Sequence, residues 1–397
     1  MPEYKYLIIG GGMTADAAVR GIREADPQGA IGLIGDEPHP PYNRPPLSKG
    51  LWKGKPLDGI WRRTPPENLT LHLGRRAVAL DPKAKVVADD QGTTYRYQRL
   101  LLATGGSPRR LPFGADQIIY YRNLDDYHRL RTLADKAQRF AVIGGGFIGS
   151  EMAAALKASG KEVRIIFPEI GIGARVFPAD LSMFLNDYYR ERGVVVVAEQ
   201  LAGGLETRDT SAVLKVRDAK SGLGWEIMVD GIVAGLGLQP NAELAKAAGL
   251  TIGDGIAVDE YLRTSQPEIY AAGDVAEFPS ALLGTRMRVE HEDNANRMGK
   301  TAGQNMAGGQ IAYRHQPYFY SDLFDLGYEA VGQLDSRLET VSDWQEPFHK
   351  GVVYYLREGK VRGVLLWNVW GKVESARALL AEPGPFQPSE FMGRLAG

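Results

Sequence analysis

The chain has 397 residues, a length typical of two or three domains. Lys and Arg number 47 against 48 for Asp and Glu, and this balance argues against a nucleic-acid-binding protein, which usually carries a basic excess. No cysteine is present, which excludes disulfide frameworks, thiolate metal sites, cysteine nucleophiles and redox-active dithiols.

The first residues do not predict a targeting peptide. The apolar run of residues 6–9 ends in glycines and is too short for the hydrophobic region of a signal sequence. No stretch approaches 18 uninterrupted apolar residues, so no transmembrane segment is predicted. We therefore expect a soluble, cytoplasmic protein.

A repeat organises the first half of the chain. Residues 5–15 read KYLIIGGGMTA and residues 139–149 read RFAVIGGGFIG. In each copy an apolar run predicts a strand, the glycines predict a tight turn, and the small residues that follow predict a helix. A second apolar run, at 30–34 and at 163–167, is followed by an acid. This order of elements predicts two dinucleotide-binding units.

Each position of the repeat has a physical role in that hypothesis. The first glycine permits the tight turn, the second leaves room for a pyrophosphate, and the third small residue allows close packing of helix on strand. The acid accepts hydrogen bonds from ribose hydroxyls, and the pyrophosphate meets free N–H groups of the helix. These residues are Gly10, Gly12, Ala15 and Asp36 in the first copy, and Gly144, Gly146, Gly149 and Glu169 in the second. The alternative is two structural turns that bind no nucleotide.

Two such units in one chain indicate two dinucleotides, FAD and a nicotinamide nucleotide. Residues 100–106, LLLATGG, predict a strand that ends in small residues, Thr104 and Gly105 among them. Residues 269–275, IYAAGDV, predict a strand that delivers Gly273 and Asp274. Asp274 is interpreted as a ligand of the ribityl chain or of the flavin-side phosphates, with an ordinary strand-end turn or helix N-cap as the alternative.

The coarse architecture has three parts. We predict an FAD-binding domain at 1–112 and 241–315, an NAD(H)-binding domain at 113–240, and a C-terminal dimerisation or acceptor-interface domain at 316–397. In this last part, residues 328–334, 351–357 and 360–367 predict antiparallel strands, and residues 374–381 predict a helix. Trp367 and Trp370 are expected to pack in its core.

Several long motifs resemble one family. The segment PPYNRPPLSKGLW (40–52) resembles flavoprotein reductases related to putidaredoxin reductase and the ferredoxin reductases of aromatic-ring dioxygenases. The segments VEHEDNANRMGKTAGQNMAGG (289–309), SDLFDLGYEAVG (321–332) and KGVVYYLREGKVRGVLLWN (350–368) are closer to the apoptosis-inducing factor family. The chain lacks the presequence and long insertions of the animal proteins, so we expect a compact prokaryotic member.

This resemblance implies an α/β protein of the glutathione-reductase-like fold class, with two Rossmann-type domains and a C-terminal α+β domain. It also implies an FAD-dependent NAD(P)H oxidoreductase in which a lysine approaches flavin N5 and pairs with a glutamate, here Lys49 and Glu151. The FAD contacts implied are Asp36, Arg44, Lys49, Asp274 and His291. The nicotinamide contacts implied are Phe147, Glu151, Glu169, Gly237 and Glu290. The apoptosis-inducing factor family has Trp where this chain has Tyr320, which leaves the stacking role of that aromatic ring open.

The leading hypothesis is hydride transfer from NADH to flavin N5, followed by electron delivery to an acceptor. The acceptors considered are a ferredoxin- or rubredoxin-like protein, a quinone and a small molecule. The alternative is a redox-sensing NADH-binding flavoprotein with slow turnover and reduction-controlled association. Glu169 favours NADH over NADPH, although Arg175 offers a cation for a 2′-phosphate. The six histidines show no ligand spacing, so no metal site is predicted, and a weak homodimer is expected.

Overall fold

A computed structural model describes residues 1–208 and 211–395. The chain forms two compact units, each built from three separate stretches of sequence. Unit 1 comprises Met1–Arg44, Leu57–Ser107 and Gln239–Tyr318, and unit 2 comprises Pro45–Pro56, Pro108–Leu238 and Phe319–Gly397. Unit 2 thus contains both the second glycine repeat and the C-terminal segment. The three-domain division stays a prediction.

Residues 1–240 contain sixteen described strands of three to nine residues. They are β1 (Glu3–Ile9), β2 (Ile31–Gly35), β3 (Leu69–Leu73), β4 (Ala77–Asp81), β5 (Val86–Asp89), β6 (Thr94–Leu102), β7 (Gly106–Pro108), β8 (Ile118–Tyr120), β9 (Arg139–Ile143), β10 (Glu162–Ile166), β11 (Val195–Val197), β12 (Gln200–Arg208), β13 (Ser211–Asp218), β14 (Gly224–Val229), β15 (Gly231–Ala234) and β16 (Leu238–Pro240).

The second half is richer in antiparallel strands. These strands are β17 (Ile256–Ala257), β18 (Ile269–Ala271), β19 (Ala276–Ser280), β20 (Thr285–Met287), β21 (Tyr318–Leu323), β22 (Leu326–Gly332), β23 (Glu339–Glu346), β24 (Lys350–Arg357) and β25 (Lys360–Trp367). The helices of the chain are α1 (Met13–Ala25), α2 (Leu124–Lys136), α3 (Phe147–Ala158), α4 (Ala179–Glu191), α5 (Glu243–Ala247), α6 (Glu292–Met306) and α7 (Val373–Ala381). None of the described helices is long and apolar enough to cross a membrane.

The main sheet of unit 1 has seven strands in the order β3–β2–β1–β6–β5–β4, and β18 pairs with the end of β6. The apolar residues of β1 and β2 are buried because both faces of a parallel sheet are covered. In the parallel registers Ile9 lies opposite Leu102, and Leu102 lies opposite Ala271. The strands β1, β6 and β18 therefore end at one edge, where the residues predicted to bind FAD begin.

Unit 2 contains a parallel sheet of five strands, ordered β11–β10–β9–β15–β8. Its central strands are mostly apolar at their carboxyl ends, and Ile143 of β9 lies opposite both Ile166 and Ala234. The antiparallel sheet β12–β13–β14 contributes Leu214 and other buried side chains to the same core as β8, β9 and β15. This second sheet thus covers part of the parallel sheet and leaves its carboxyl edge for the second glycine turn.

The C-terminal sheet of unit 2 has the order β21–β22–β25–β24–β23. Trp367 is fully buried and its ring stacks on Tyr328 with centroids 5.7 Å apart and planes at 8°. The expectation that Trp370 packs in the core is wrong, because 54% of that residue is exposed. Trp370 lies beyond the end of β25, so the alternation of the strand no longer directs it inward.

Candidate active site

The first glycine turn lies in unit 1, between β1 and α1. Gly10 has φ +121°, and a Cβ there would lie 2.1 Å from the carbonyl oxygen of Ala103. Gly12 caps α1, and a Cβ there would meet no atom within 4 Å. The turn is therefore closed on the strand side and open at the helix N-terminus, which is the shape that a pyrophosphate requires.

The second glycine turn, in unit 2, repeats this arrangement between β9 and α3. A Cβ on Gly144 would lie 2.4 Å from the carbonyl oxygen of Gly235, and one on Gly149 would lie 1.8 Å from the carbonyl oxygen of Gly144. Gly146 caps α3 and again faces open space. Both turns fit a dinucleotide, and the open space at Gly12 and Gly146 is the observation on which this fit depends.

The two acids after the repeats both have arginine partners. Asp36 follows β2 and pairs with Arg76 at 2.8 Å, with both side chains largely exposed. Glu169 follows β10 and accepts a hydrogen bond from Nε of Arg175 at 2.8 Å, and Nη2 of the same arginine lies 2.7 Å from Oε1 as an ion pair. In this structure the guanidinium of Arg175 is therefore paired with Glu169, while 84% of its side chain is exposed.

Several other predicted FAD contacts lie at the same edge of the unit 1 sheet. Thr104 follows β6, and its hydroxyl donates to the carbonyl oxygen of Asn241 at 2.7 Å. Gly105 and Gly273 have positive φ, and a Cβ on Gly273 would lie 2.3 Å from Oγ1 of Thr14 in α1. The fold thus brings the ends of three strands to the first glycine turn. Ala15, in the first turns of α1, is fully buried.

The guanidinium of Arg44 pairs with Glu37, whose carboxylate also accepts a hydrogen bond from Tyr42. Its Nη2 donates to Glu37 at 2.5 Å, and the hydroxyl of Tyr42 donates to the same carboxylate at 2.5 Å. Burial lowers the pKa of Arg44, but electrostatic interactions with Tyr42, Glu37 and Asp274 outweigh burial and raise the pKa above its ordinary value. Arg44 is therefore a fixed cation near Asp274.

The predicted residues of the 289–309 motif begin α6. His291 caps this helix, and Glu290 accepts a hydrogen bond from Nη1 of Arg288 at 2.6 Å. The same nitrogen donates to the backbone carbonyl of Asp274 at 3.1 Å. Arg288, which sequence reasoning missed, thus connects two predicted site residues. Within the described residues no group of three or more His, Asp or Glu side chains could hold a metal ion.

In unit 2 the predicted ion pair is present. Nζ of Lys49 donates to Oε1 of Glu151 at 2.6 Å, and the two side chains are only 14% and 4% exposed. Lys49 follows a 3₁₀ turn, Pro45–Ser48, whose prolines restrict the backbone. Glu151 lies in the first half of α3, directly after the second glycine turn.

The ring of Tyr320 lies against this pair, and further aromatic rings pack at the start of α3. Nζ of Lys49 lies 5.4 Å from the centroid of the Tyr320 ring, a cation–π distance. Phe147, the first residue of α3, lies 5.7 Å from Phe319 and 6.4 Å from Tyr328, ring centroid to ring centroid. Tyr320, where the related family has Trp, therefore contacts the lysine through its ring face. Gly237, with φ +82°, follows the next strand of the parallel sheet, β15.

Sequence reasoning missed two further residues of this cluster. The hydroxyl of Ser48 donates to Oε2 of Glu151 at 2.5 Å, and the hydroxyl of Ser321 donates to Oε1 at 2.5 Å. A single serine has no characteristic spacing or charge pattern, so the sequence alone does not mark it as a site residue. The one available hint is position, since each serine adjoins a predicted site residue, Lys49 or Tyr320.

Comparison with known proteins identifies the class. Residues 4–299 match the family model described as pyridine nucleotide-disulphide oxidoreductase. Residues 302–347 and 342–382 match the model for the C-terminal part of mitochondrion-associated apoptosis-inducing factor. The chain therefore belongs to the pyridine nucleotide-disulphide oxidoreductase family.

Individual relatives cover nearly the whole chain. The mitochondrial apoptosis-inducing factor 1 of Dictyostelium discoideum is 34% identical, over 95% of this chain and 78% of that protein. The ferredoxin reductase subunit of the 5,5'-dehydrodivanillate O-demethylase of a Sphingobium species is also 34% identical, over 96% of this chain and 94% of that protein. Among solved structures, the covalent putidaredoxin reductase–putidaredoxin complex matches with a TM-score of 0.89 at 29% identity, over 98% and 96% of the two chains.

These findings confirm the resemblance drawn from the motifs and the glutathione-reductase-like α/β fold class. They also confirm the enzyme class: the chain is a flavoprotein NAD(P)H oxidoreductase, with FAD and a nicotinamide nucleotide as cofactors. The roles of the individual residues, the prokaryotic origin and the absence of a metal stay predictions.

Proposed function

We propose that the protein is an NADH-dependent flavoprotein reductase that delivers electrons to a ferredoxin-type iron–sulfur protein. The observation that carries this proposal is the buried ion pair of Lys49 and Glu151, which adjoins the second glycine turn. A fixed positive charge in a dry site stabilises negative charge that develops nearby. When bound, FAD supplies the centre that takes hydride from NADH and passes electrons on.

The chain's own residues have three tasks in this proposal. In unit 1, the residues that hold FAD are Gly10, Gly12, Ala15, Asp36, Arg44, Thr104, Gly105, Gly273, Asp274 and His291. Glu290, also in unit 1, contacts the nicotinamide. Those of the second turn hold NADH: Gly144, Gly146, Phe147, Gly149, Glu169 and Gly237. Lys49 and Glu151 serve catalysis next to flavin N5, with the ring of Tyr320 alongside.

NADH is the proposed donor because of the pair formed by Glu169 and Arg175. A carboxylate at the end of β10 accepts hydrogen bonds from ribose hydroxyls and repels a 2′-phosphate. The guanidinium that could offset this repulsion already forms an ion pair and one hydrogen bond with Glu169. NADPH is therefore the poorer substrate.

A ferredoxin-type acceptor is favoured by two relatives. One is named as a ferredoxin reductase subunit, and the other is a putidaredoxin reductase whose structure was solved in complex with putidaredoxin. The absence of cysteine removes the dithiol route for which the family is named. A rubredoxin-like protein, a quinone or a small molecule are the alternative acceptors. We further propose a cytoplasmic location and a weak homodimer formed through residues 316–397.

A second function, a slowly turning redox sensor, is favoured by the match of residues 302–382 to the C-terminal part of apoptosis-inducing factor. In that case the complex of the reduced protein with NAD⁺ would persist and select partners. Turnover separates the two functions, because a reductase must release its product in every cycle.

The test is steady-state and stopped-flow kinetics with NADH and NADPH, using ferricyanide and a [2Fe–2S] ferredoxin as acceptors. We expect turnover with the ferredoxin well above the rate of reoxidation by air, and a higher kcat/KM for NADH. A reduced complex that outlives many equivalents of both acceptors would contradict the reductase and favour the sensor. A folded protein that stays colourless after incubation with FAD would contradict both.

A further inference from the structure

Glu151 accepts hydrogen bonds from two serine hydroxyls in addition to its ion pair with Lys49. Ser48 donates to Oε2 and Ser321 to Oε1, both at 2.5 Å, while Lys49 donates to Oε1 at 2.6 Å. The two serines are 7% and 1% exposed, so water does not compete for their hydroxyls. Hydrogen bonds to an ionised acceptor are about twice as strong as neutral ones. Both oxygens of the carboxylate are therefore anchored independently of the lysine.

The two serines reach Glu151 from distant parts of unit 2. Ser48 ends the 3₁₀ turn Pro45–Ser48, and Ser321 belongs to β21 of the C-terminal sheet. The residue before Ser321 is Tyr320, whose ring lies against the ammonium of Lys49. Two consecutive residues of one strand thus contact both members of the ion pair.

Two buried phenols, Tyr189 and Tyr328, feel the negative charge of Glu151, and the phenol of Tyr328 also has a side-chain hydrogen bond with Ser321. Burial raises the pKa of Tyr189 and Tyr328, and the negative charge of Glu151 raises both further, so both phenols stay neutral. The hydroxyl of Tyr189 donates to the backbone carbonyl of Ser150 at 3.1 Å. The positive charge next to Glu151 comes from Lys49, and the geometry of the carboxylate is fixed by Ser48 and Ser321.

We propose that Ser48 and Ser321 are positioning residues for the hydride transfer. By anchoring both oxygens of Glu151, they stop the carboxylate from rotating and hold the ammonium of Lys49 at one place beside Tyr320. A positioned charge accelerates a reaction more than a mobile one because no reorganisation is needed when charge develops. This inference rests on the proposed role of Lys49 next to the flavin.

The test compares Ser321→Ala and Ser48→Ala with the wild-type holoenzyme. We expect each substitution to slow flavin reduction by NADH about three- to tenfold, the effect of one lost hydrogen bond. The midpoint potential of the flavin should fall, whereas the Kd of NADH should not change. Ser321→Thr keeps the hydroxyl and should restore most of the rate. Ser182→Ala is the matched control, because Ser182 is fully buried but donates to the backbone carbonyl of Ile172.

The potential separates positioning from a structural role, since partial unfolding would reduce FAD content without shifting the potential of the flavin that is retained. If an alanine variant does not fold, Ser321→Cys keeps the volume and weakens the donor, and it should slow reduction in the same way. Wild-type rate and potential in both serine variants, with Lys49→Met slow, would overturn the positioning role alone. A wild-type rate in Lys49→Met would overturn both this inference and the proposed role of the lysine.

Discussion

Lys49 and Glu151 are 102 residues apart in sequence, yet their charged atoms lie 2.6 Å apart. Isolated pairs on a protein surface contribute little to stability, and a buried pair must offset the cost of removing both charges from water. This pair is buried at a glycine turn, and two serine hydroxyls donate to its carboxylate. Its arrangement is better explained by chemistry than by stability.

Removing the ammonium tests this explanation. Lys49→Met should slow flavin reduction by about 30- to 150-fold, which corresponds to about 2–3 kcal/mol of lost stabilisation at tenfold per 1.36 kcal/mol. Stopped-flow absorbance of the flavin measures the rate. Lys53→Met is the matched control, because Lys53 is four residues away and 62% exposed, and its contact with Asp322 is a loose 3.6 Å. Equal rates in the two variants would show that Lys49 is an ordinary structural lysine.

The choice of nucleotide is a second property of single residues. Glu169→Gln should lower kcat/KM for NADH and raise it for NADPH, because the charge that repels the 2′-phosphate is lost and Arg175 is released. Arg175→Ala alone should leave the preference for NADH intact. Steady-state kinetics with both nucleotides measures the ratio. A wild-type enzyme that prefers NADPH would show that the guanidinium, and not the carboxylate, sets the specificity.

The residues of the site differed in how visible they were in the sequence. The glycines and acids follow a spacing that the phosphate and ribose impose, so the two turns could be predicted directly. Lys49 and Glu151 needed the family resemblance, because no local pattern joins residues so far apart. Ser48 and Ser321 could not be predicted, since a hydrogen bond between distant segments leaves no periodic trace.

At the scale of elements, each nucleotide turn combines one crowded glycine position with one open position. In the second turn, a Cβ on Gly149 would meet the carbonyl oxygen of Gly144 at 1.8 Å, whereas one on Gly146 would meet nothing within 4 Å. The crowded position serves the packing of α3 on β9. The open position serves the ligand, so the two functions can be separated by substitution.

Alanine at these two glycines should give opposite results. Gly149→Ala should lower the free energy of unfolding by about 1–3 kcal/mol, because the added methyl group overpacks the start of α3. Gly146→Ala should fold normally, since its extended backbone suits alanine, but it should bind NADH weakly because the methyl enters the space for the pyrophosphate. Urea unfolding and NADH titration measure the two effects. Normal NADH affinity in Gly146→Ala would contradict a nucleotide at this turn.

Asp230 links the starts of β9 and β15, and it makes the stability of this part of unit 2 depend on pH. It accepts from Nη2 of Arg139 at 2.6 Å and from the backbone N–H of the same residue at 2.8 Å. The hydrogen bond from the Arg139 side chain, with smaller contributions from backbone N–H groups, lowers the pKa of Asp230 from 3.8 to about 2. Because the pKa is lower in the folded state, the stabilisation is complete above pH 3.8 and is lost as the pH falls toward 2.

Asp230→Asn should therefore reduce the free energy of unfolding at pH 7 by about 1–2 kcal/mol, a value that allows for partial exposure. The difference from wild type should shrink between pH 4 and pH 2, where the carboxyl of the wild type becomes protonated. Urea unfolding of both proteins at several pH values measures this difference in the free energy of unfolding. Asp187→Asn, at an exposed helical pair with Arg190, is the control and should change stability by less than about 0.5 kcal/mol. A difference that does not vary with pH would contradict the assignment.

The sequence predicted elements where periodicity was strong and missed them where it was not. The strands β22, β24 and β25 are rich in buried apolar residues and were predicted within about two residues. The strand β23, ETVSDWQE, is only partly buried and mixes charged with apolar residues, so no strand was predicted there. The sheet β12–β13–β14 was not predicted for the same reason, since one face of its strands is solvent-exposed.

At the scale of the whole molecule, both nucleotide turns are complete within residues 1–315, while the C-terminal sheet and α7 follow. The sequence predicts that this last part is an interface. We expect a weak homodimer that becomes stronger on reduction by NADH. Sedimentation velocity under anaerobic conditions measures the association of both oxidation states. A monomer in both states would contradict the dimer and leave acceptor docking as the role of this part.

The alternation of the chain between the two units has a consequence for biosynthesis. Unit 1 begins at Met1 but needs Gln239–Tyr318, so it cannot complete its core until the ribosome has passed residue 318. Until β18 (Ile269–Ala271) has been made, Leu100–Leu102 of β6 lack their partner strand. An unpaired apolar edge attracts other chains. A nascent or truncated chain that ends between the two glycine repeats should therefore aggregate unless a chaperone covers that edge.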